Sequence, residues 1–271
     1  MEDSVLSLSA LISLLPAAIF SITRNDGGRG EEGRSVMFWL TLTIATTGPL
    51  VWIFSNLSEA WQTGLSMTLW IIIAASMNIF AAITVLNDNA WRLTPLLIPY
   101  LIVLAFFAFF WQHLPESRPL INNLSSWIKV HIFISVTTYA LVTIAAVSAL
   151  AAFVQERSLK LKRPTNLSRM LPSVAESESL LLRLLIIGEF VLFLGLATGM
   201  ATQFQETGNF LTWDHKTILS LSAFSIIAIL LGAHFYSGVR GRKVTRFVLL
   251  AYLLLTLSYP GVKFVTDVLI Y

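Results

Sequence analysis

Few side chains in this 271-residue chain can do chemistry: four histidines, no cysteine, and a handful of acids set among long apolar runs. His131 follows Trp127 in one such run, with Ser135, Thr138 and Tyr139 at helical spacings beyond it. An imidazole at that depth needs a partner or a cavity, so it reads as a ligand or as a satisfied packing residue. The stretch from Thr207 to Lys216 is a short polar loop between two apolar runs, ending in Trp213, Asp214, His215 and Lys216. Trp213 offers a broad aromatic face, Asp214 a fixed charge, and His215 a group that ligates a metal or moves a proton. Such a loop suits a flat, apolar molecule with acidic edges, although a plain exposed His215 fits the pattern too. His234 lies about one turn from the far end of the run that follows, and Glu189 lies at comparable depth in the preceding one. An acid at that depth is costly unless paired, so Glu189 is expected near His234 or Tyr236, as a site or as a buried polar lock between helices. His113 closes the fourth run beside Pro115 and Glu116 and reads as an interfacial residue.

These residues have to be positioned by membrane helices. Hydrophobic residues make up 56% of the chain and charged residues only 12%, about half the charged share of a soluble domain. The charges cluster and leave apolar runs long enough to cross a bilayer. About eight spans are expected: Ser4–Thr23, Ser35–Phe54, Leu65–Leu86, Thr94–Gln112, Trp127–Val154, Leu180–Phe204, Thr217–Gly238 and Phe247–Ile270. The fold class is therefore all-α, a polytopic bundle of about eight transmembrane helices. Arg24, Arg29, Arg34, Arg92, the basic residues from Arg157 to Arg183, and those from Arg240 to Arg246 fall in odd-numbered loops, whereas the even side has only Arg118, Lys129, Lys216 and Lys263. By the positive-inside rule both termini are extracytoplasmic, as is the Trp213–Lys216 loop. The acidic start Met-Glu-Asp-Ser lacks the basic region of a secretory signal, so the first run is expected to be retained.

Residues 155–179 form the long polar linker, expected as a mobile cytoplasmic connection. It divides a five-helix part, 1–154, from a three-helix part, 180–271, the whole acting as one membrane domain. Tryptophans 39, 52, 61, 70, 91 and 111 lie mostly near span ends and read as an interfacial belt. The net charge of +3 resides in short loops and gives no sign of nucleic-acid binding. Gly195 and Gly199 form a Gly-x-x-x-Gly pair that permits close helix packing. Walker, His-Glu-x-x-His and Gly-x-Ser-x-Gly patterns are absent.

Three stretches together resemble the cytochrome c assembly protein family, the haem-handling membrane proteins of the CcsA, CcmC and HemX type. They are Trp127 to His131 with Tyr139-Ala140; Gly188 to Thr198-Gly199; and Trp213-Asp214-His215-Lys216 through Ala233-His234. The likeness covers roughly the C-terminal half and is nearest to short, eight-span HemX/YpjD-like members. It implies haem held at the extracytoplasmic face for delivery to apocytochrome c, with other cytochrome assembly proteins as partners, in a bacterial cytoplasmic (inner) membrane. On that resemblance the haem-binding residues are His131, Trp213, Asp214, His215, Lys216 and His234, and the iron ligands are His131 and His215. His113 or water is an alternative to His215, and Lys216 and Arg118 are placed to meet the propionates. The chain departs from the family pattern in its single loop tryptophan and in Ser258–Val265, which stands where a second outer histidine is expected. The first four spans hold no histidine at membrane depth, which speaks against a two-histidine inner haem site. The expected role is that of a handling protein, not an enzyme. The alternative is a haem-free membrane regulator or scaffold of the HemX type, acting through loop 155–179 and Val239–Lys243. A transporter would show two inverted halves, which are not seen.

Overall fold

The computed structural model describes residues 2–23, 34–57, 64–113, 126–208, 213–239 and 241–265. These are helical almost throughout, and no strand occurs among them. The helices are α1 (Glu2–Thr23), α2 (Val36–Leu57), α3 (Leu65–Leu86), α4 (Thr94–Phe110), α5 (Ser126–Lys160), the short α6 (Asn166–Met170), α7 (Val174–Thr207), α8 (His215–Ser237) and α9 (Arg242–Thr256). A π-helical stretch, Leu257–Gly261, and a final turn α10 (Val262–Phe264) extend α9. Eight of these segments are long and apolar enough to span a membrane. This is an all-α, multi-pass membrane protein. Arg24, Arg29, Trp61, Arg118 and Arg240, which entered the sequence reading, lie outside the described residues, as do the side chains of His113 and Glu206.

Helix neighbours fall into two closed rings. α1 packs on α2, α2 on α3, α3 on α4 and α4 back on α1; α5 packs on α7, α7 on α8, α8 on α9 and α9 back on α5. The α3–α5 seam joins the rings, so α5 groups with α7–α9 as well as with the helices before it. One continuous apolar core runs through both rings. α5 is the most buried span, with 61% of its apolar window inside the protein, and α8 the least, with 22%. α5 is thus the pillar, and α8 presents most of its surface to lipid.

Two helices outrun the bilayer. α5 has 35 residues and α7 has 34, each about 50 Å long, against an apolar thickness of about 30 Å. Both project on the side carrying the basic loops, here the basic face. Residues 155–179, expected as a linker, are helix for most of their length. Thr165 and Ser173 each form a capping box, with Ser168 and Glu176, that starts α6 and α7. The Gln155 amide donates to the carbonyls of Ser168, Leu171 and Pro172 at 2.6–3.1 Å. Other basic-face loops attach to the same layer. Asn89 donates to Glu176 at 2.7 Å, Arg92 to the carbonyls of Arg169 and Met170 at 3.3 Å, and the Gly241 amide to Glu178 at 3.2 Å. Arg34 pairs with Asp88 on this face.

Candidate functional site

α7 lies antiparallel to α5 on a stripe of small residues. A side-chain carbon added at Gly188 would stand 3.5 Å from Val142, one at Gly195 3.5 Å from Ile134, and one at Gly199 3.0 Å from Cε1 of His131. The first two distances are ordinary contact; the third is too close without a shift. His131 therefore lies directly against the backbone of α7. The Gly-x-x-x-Gly spacing does what small residues do between membrane helices, and one of the two approaches is to an imidazole.

The hydrogen bonds of His131 bear on its tautomer. Its Nδ1 is 3.2 Å from the Thr198 hydroxyl oxygen, and that hydroxyl is itself 2.9 Å from the Leu194 carbonyl and 3.1 Å from that of Gly195. Carbonyls only accept, so a Thr198 proton given to either of them turns an oxygen lone pair toward Nδ1, an arrangement that suits the Nδ1–H tautomer. Nε2 meets the Ser135 hydroxyl at a long 3.5 Å. The half-buried ring thus has one nitrogen anchored to the protein and one available, the arrangement of metal-ligating histidines.

Trp213, Asp214, His215 and Lys216 are all exposed, Trp213 at 72%. They form the entry to α8. Asp214 caps it, accepting from the Thr217 amide at 2.8 Å. Partial desolvation raises the Asp214 pKa, but the Thr217 amide and hydroxyl and the charges of Lys216 and His215 hold it below the ordinary carboxylate range. The Lys216 carbonyl accepts from Ser258 at 3.1 Å, tying this entry to the π-helical stretch after α9. Within the described residues no hydrogen bond or ring contact joins His131 to Trp213 or His215.

His234 is at the other end of α8, 19 residues from His215 and so about 28 Å away along the helix. Its Nδ1 meets the Val239 carbonyl at 2.9 Å, and the Gly238 amide bonds its carbonyl. This is a helix stop on the basic face, remote from the other candidate residues. Glu189 is not hydrogen-bonded to it: both carboxylate oxygens are shut from solvent and have no hydrogen-bond partner among the described residues. Tyr236 is 98% exposed and does not enclose the acid.

One polar cluster escaped the sequence reading. The hydroxyls of Tyr100 and Tyr252 are bonded to each other, and Tyr139 reaches Tyr252 at 3.2 Å and Thr256 at 3.1 Å. It knits α4, α5 and α9 together inside the membrane region. Tyr139 had been singled out, but Tyr100 and Tyr252 stand in runs of Leu and Ile; the available signal was phenols placed away from span ends, where belts do not explain them.

Among the described residues no group of three or more His, Asp or Glu side chains is placed to hold a metal ion. The described residues thus show an imidazole packed between α5 and α7 and, separately, an exposed aromatic and cationic turn at the start of α8. Comparison with known proteins gives this a context: a family model for the cytochrome C assembly protein matches residues 35–270. The chain belongs to the cytochrome c assembly protein family. It is 52% identical over 269 residues, 99% of each chain, to an uncharacterized 28.8 kDa protein in the nifR3-like 5′ region of Azospirillum brasilense. It is 26% identical over 185 residues to the inner membrane protein YpjD of Escherichia coli K12, covering 68% of this chain and 67% of YpjD. It is also 25% identical over 174 residues to the cytochrome c biogenesis protein CcsA of Synechococcus sp. CC9605, covering 56% of this chain and 57% of CcsA.

Proposed function

We propose that this family member is a haem-binding protein of the bacterial inner membrane, which assists c-type cytochrome assembly by holding or presenting haem at the extracytoplasmic face. The observation that carries the reading is His131, whose Nδ1 lies 3.2 Å from the Thr198 hydroxyl while Nε2 has only a long contact with Ser135. Neutral imidazole is an ordinary axial ligand of haem iron, and the residues present fit that role. The relative named as a cytochrome c biogenesis protein supports the assembly context.

Haem, here the cargo, supplies an iron that takes an axial nitrogen and two carboxylate edges that take cations. His131 offers the nitrogen, Trp213 an aromatic face for the ring, and Lys216 a point charge for a propionate. His215, one residue from Lys216 and exposed, offers a second nitrogen from the same face. Asp214 acts indirectly, as the cap that fixes the α8 entry. His234 has no part in this face; its proposed role is to terminate α8.

The test is the absorption spectrum of detergent-purified protein, as isolated and titrated with haemin. A Soret band that disappears in His131→Ala is expected. Colourless protein whose haemin titration never saturates would overturn the reading and favour a haem-free scaffold working through the basic-face layer, where Arg242 and Lys243 are exposed.

A further inference from the structure

The contact between α5 and α7 points to a positioning residue outside the haem-binding set that the family likeness implies. We propose that Thr198, with the gap left by Gly199, sets the tautomer and aim of His131 and thereby its strength as a ligand. This deepens the haem reading of the same site and rests on it for its functional meaning.

Two observations carry it independently. The first is proton bookkeeping at Thr198. Its hydroxyl has one proton, two backbone carbonyls of its own helix lie within 3.1 Å, and so the side it turns to His131 Nδ1 is a lone pair. Helices commonly bend a threonine back in this way. Here it converts a group that could donate or accept into an acceptor only. The imidazole answers with Nδ1–H, and Nε2 becomes its basic nitrogen.

The second is steric. At Gly199 an added side-chain carbon would stand 3.0 Å from Cε1, 3.5 Å from Nδ1 and 3.7 Å from Nε2 of the ring. All three atoms border one point on the α7 backbone, so the imidazole is laid over Gly199 and cannot swing toward α7. Hydrogen bond and gap together hold the ring against rotation. Ser135, one turn along α5, makes the hydrogen-bond contact at Nε2, and at 3.5 Å that contact is long enough for a metal bond to replace it. Orientation by an acceptor on the far nitrogen is worth roughly 10–100-fold in metal affinity at other histidine sites.

The test uses the full-length protein in detergent with 15N-labelled histidine. Four histidines give few resonances, and His131→Ala assigns the one of interest. Wild type is expected to show the Nδ1–H tautomer, Thr198→Ser to keep it, and the near-isosteric Thr198→Val to lose it. Haemin affinity is expected to fall roughly 10–100-fold in Thr198→Val and to recover in Thr198→Ser. Gly199→Val is expected to displace the ring and move its resonances even where Thr198 is intact. An Nε2–H signature in wild type, or an unchanged tautomer and affinity in Thr198→Val, would overturn the proposal. Failure of the haem reading is distinguishable: wild type would then be colourless as isolated and its haemin titration would not saturate, while the tautomer measurement on haem-free protein still decides the role of Thr198.

Discussion

Glu189 is the side chain whose surroundings cost the most. A carboxyl with neither solvent nor a hydrogen-bond partner inside a span is a debit of about 1–3 kcal/mol on mutational scales, more if it is ionised. Glu189→Leu is accordingly expected to raise the thermal midpoint in detergent; a lowered midpoint would mean that the acid is engaged by a partner the fold alone does not reveal. Asp214 is the opposite case, an exposed acid with defined work. Asp214→Ala removes the α8 cap, at a cost on the order of 1 kcal/mol, and is expected to speed amide exchange at Thr217, whereas Asp214→Asn should not. Its pKa is held below the unfolded value, so the cap contributes fully above the ordinary carboxylate range and is lost as pH falls through the lowered value. Protection of the Thr217 amide in wild type, taken relative to its intrinsic exchange rate, is thus expected to fall only on the acid side of that range. Neither behaviour was legible in the string of residues. The sequence showed that Glu189 was anomalous, but whether it met His234 depended on how α7 and α8 rotate about their axes. That rotation is set by packing across the bundle, and His234 instead found the Val239 carbonyl five residues ahead.

Helices were far more legible than partners, because a bilayer imposes a length that composition reports directly. Leu65–Leu86 was expected to the residue, and all eight spans were counted. The ends of α5 and α7 were not, since Gln155–Lys160 and Val174–Ser179 are polar and look like loop. They remain helical because each has the other to pack on and a capping box to start or follow it, neither of which is an apolar signal. The glycines were legible as a packing stripe, but not as the seat of an imidazole. Two predictions belong to this level. Gly195→Ala is expected to be tolerated, as the added carbon would meet Ile134 at normal contact, while Gly195→Leu should part α5 from α7 and lower the thermal midpoint. Tyr252→Phe removes the centre of the Tyr100–Tyr252–Tyr139 cluster, and the hydroxyls left behind are expected to cost about 1–3 kcal/mol in thermal or denaturant unfolding.

For the whole molecule, the distribution of basic residues makes a claim that packing does not address: which face looks inward. The natural absence of cysteine makes this simple to measure. Lys162→Cys on the basic face is expected to react with a membrane-impermeant maleimide only after cells are opened, and Thr207→Cys at the end of α7 in intact cells; the reverse pattern would invert the proposed orientation. The two rings share one core, so the protein should unfold as a unit, and Tyr252→Phe and Gly195→Leu should shift the same transition. The lacing of the basic-face loops has a mechanical consequence. With the basic-face ends held to one layer, relative motion of the spans is expected to be larger at the opposite ends, where α8, with the smallest share of its window inside the protein, is held by the Ser258 hydroxyl on the Lys216 carbonyl. Loss of that bond in Ser258→Ala is expected to loosen the end that carries Trp213 and His215 while the basic-face layer stays ordered, read as weaker amide protection confined to the start of α8.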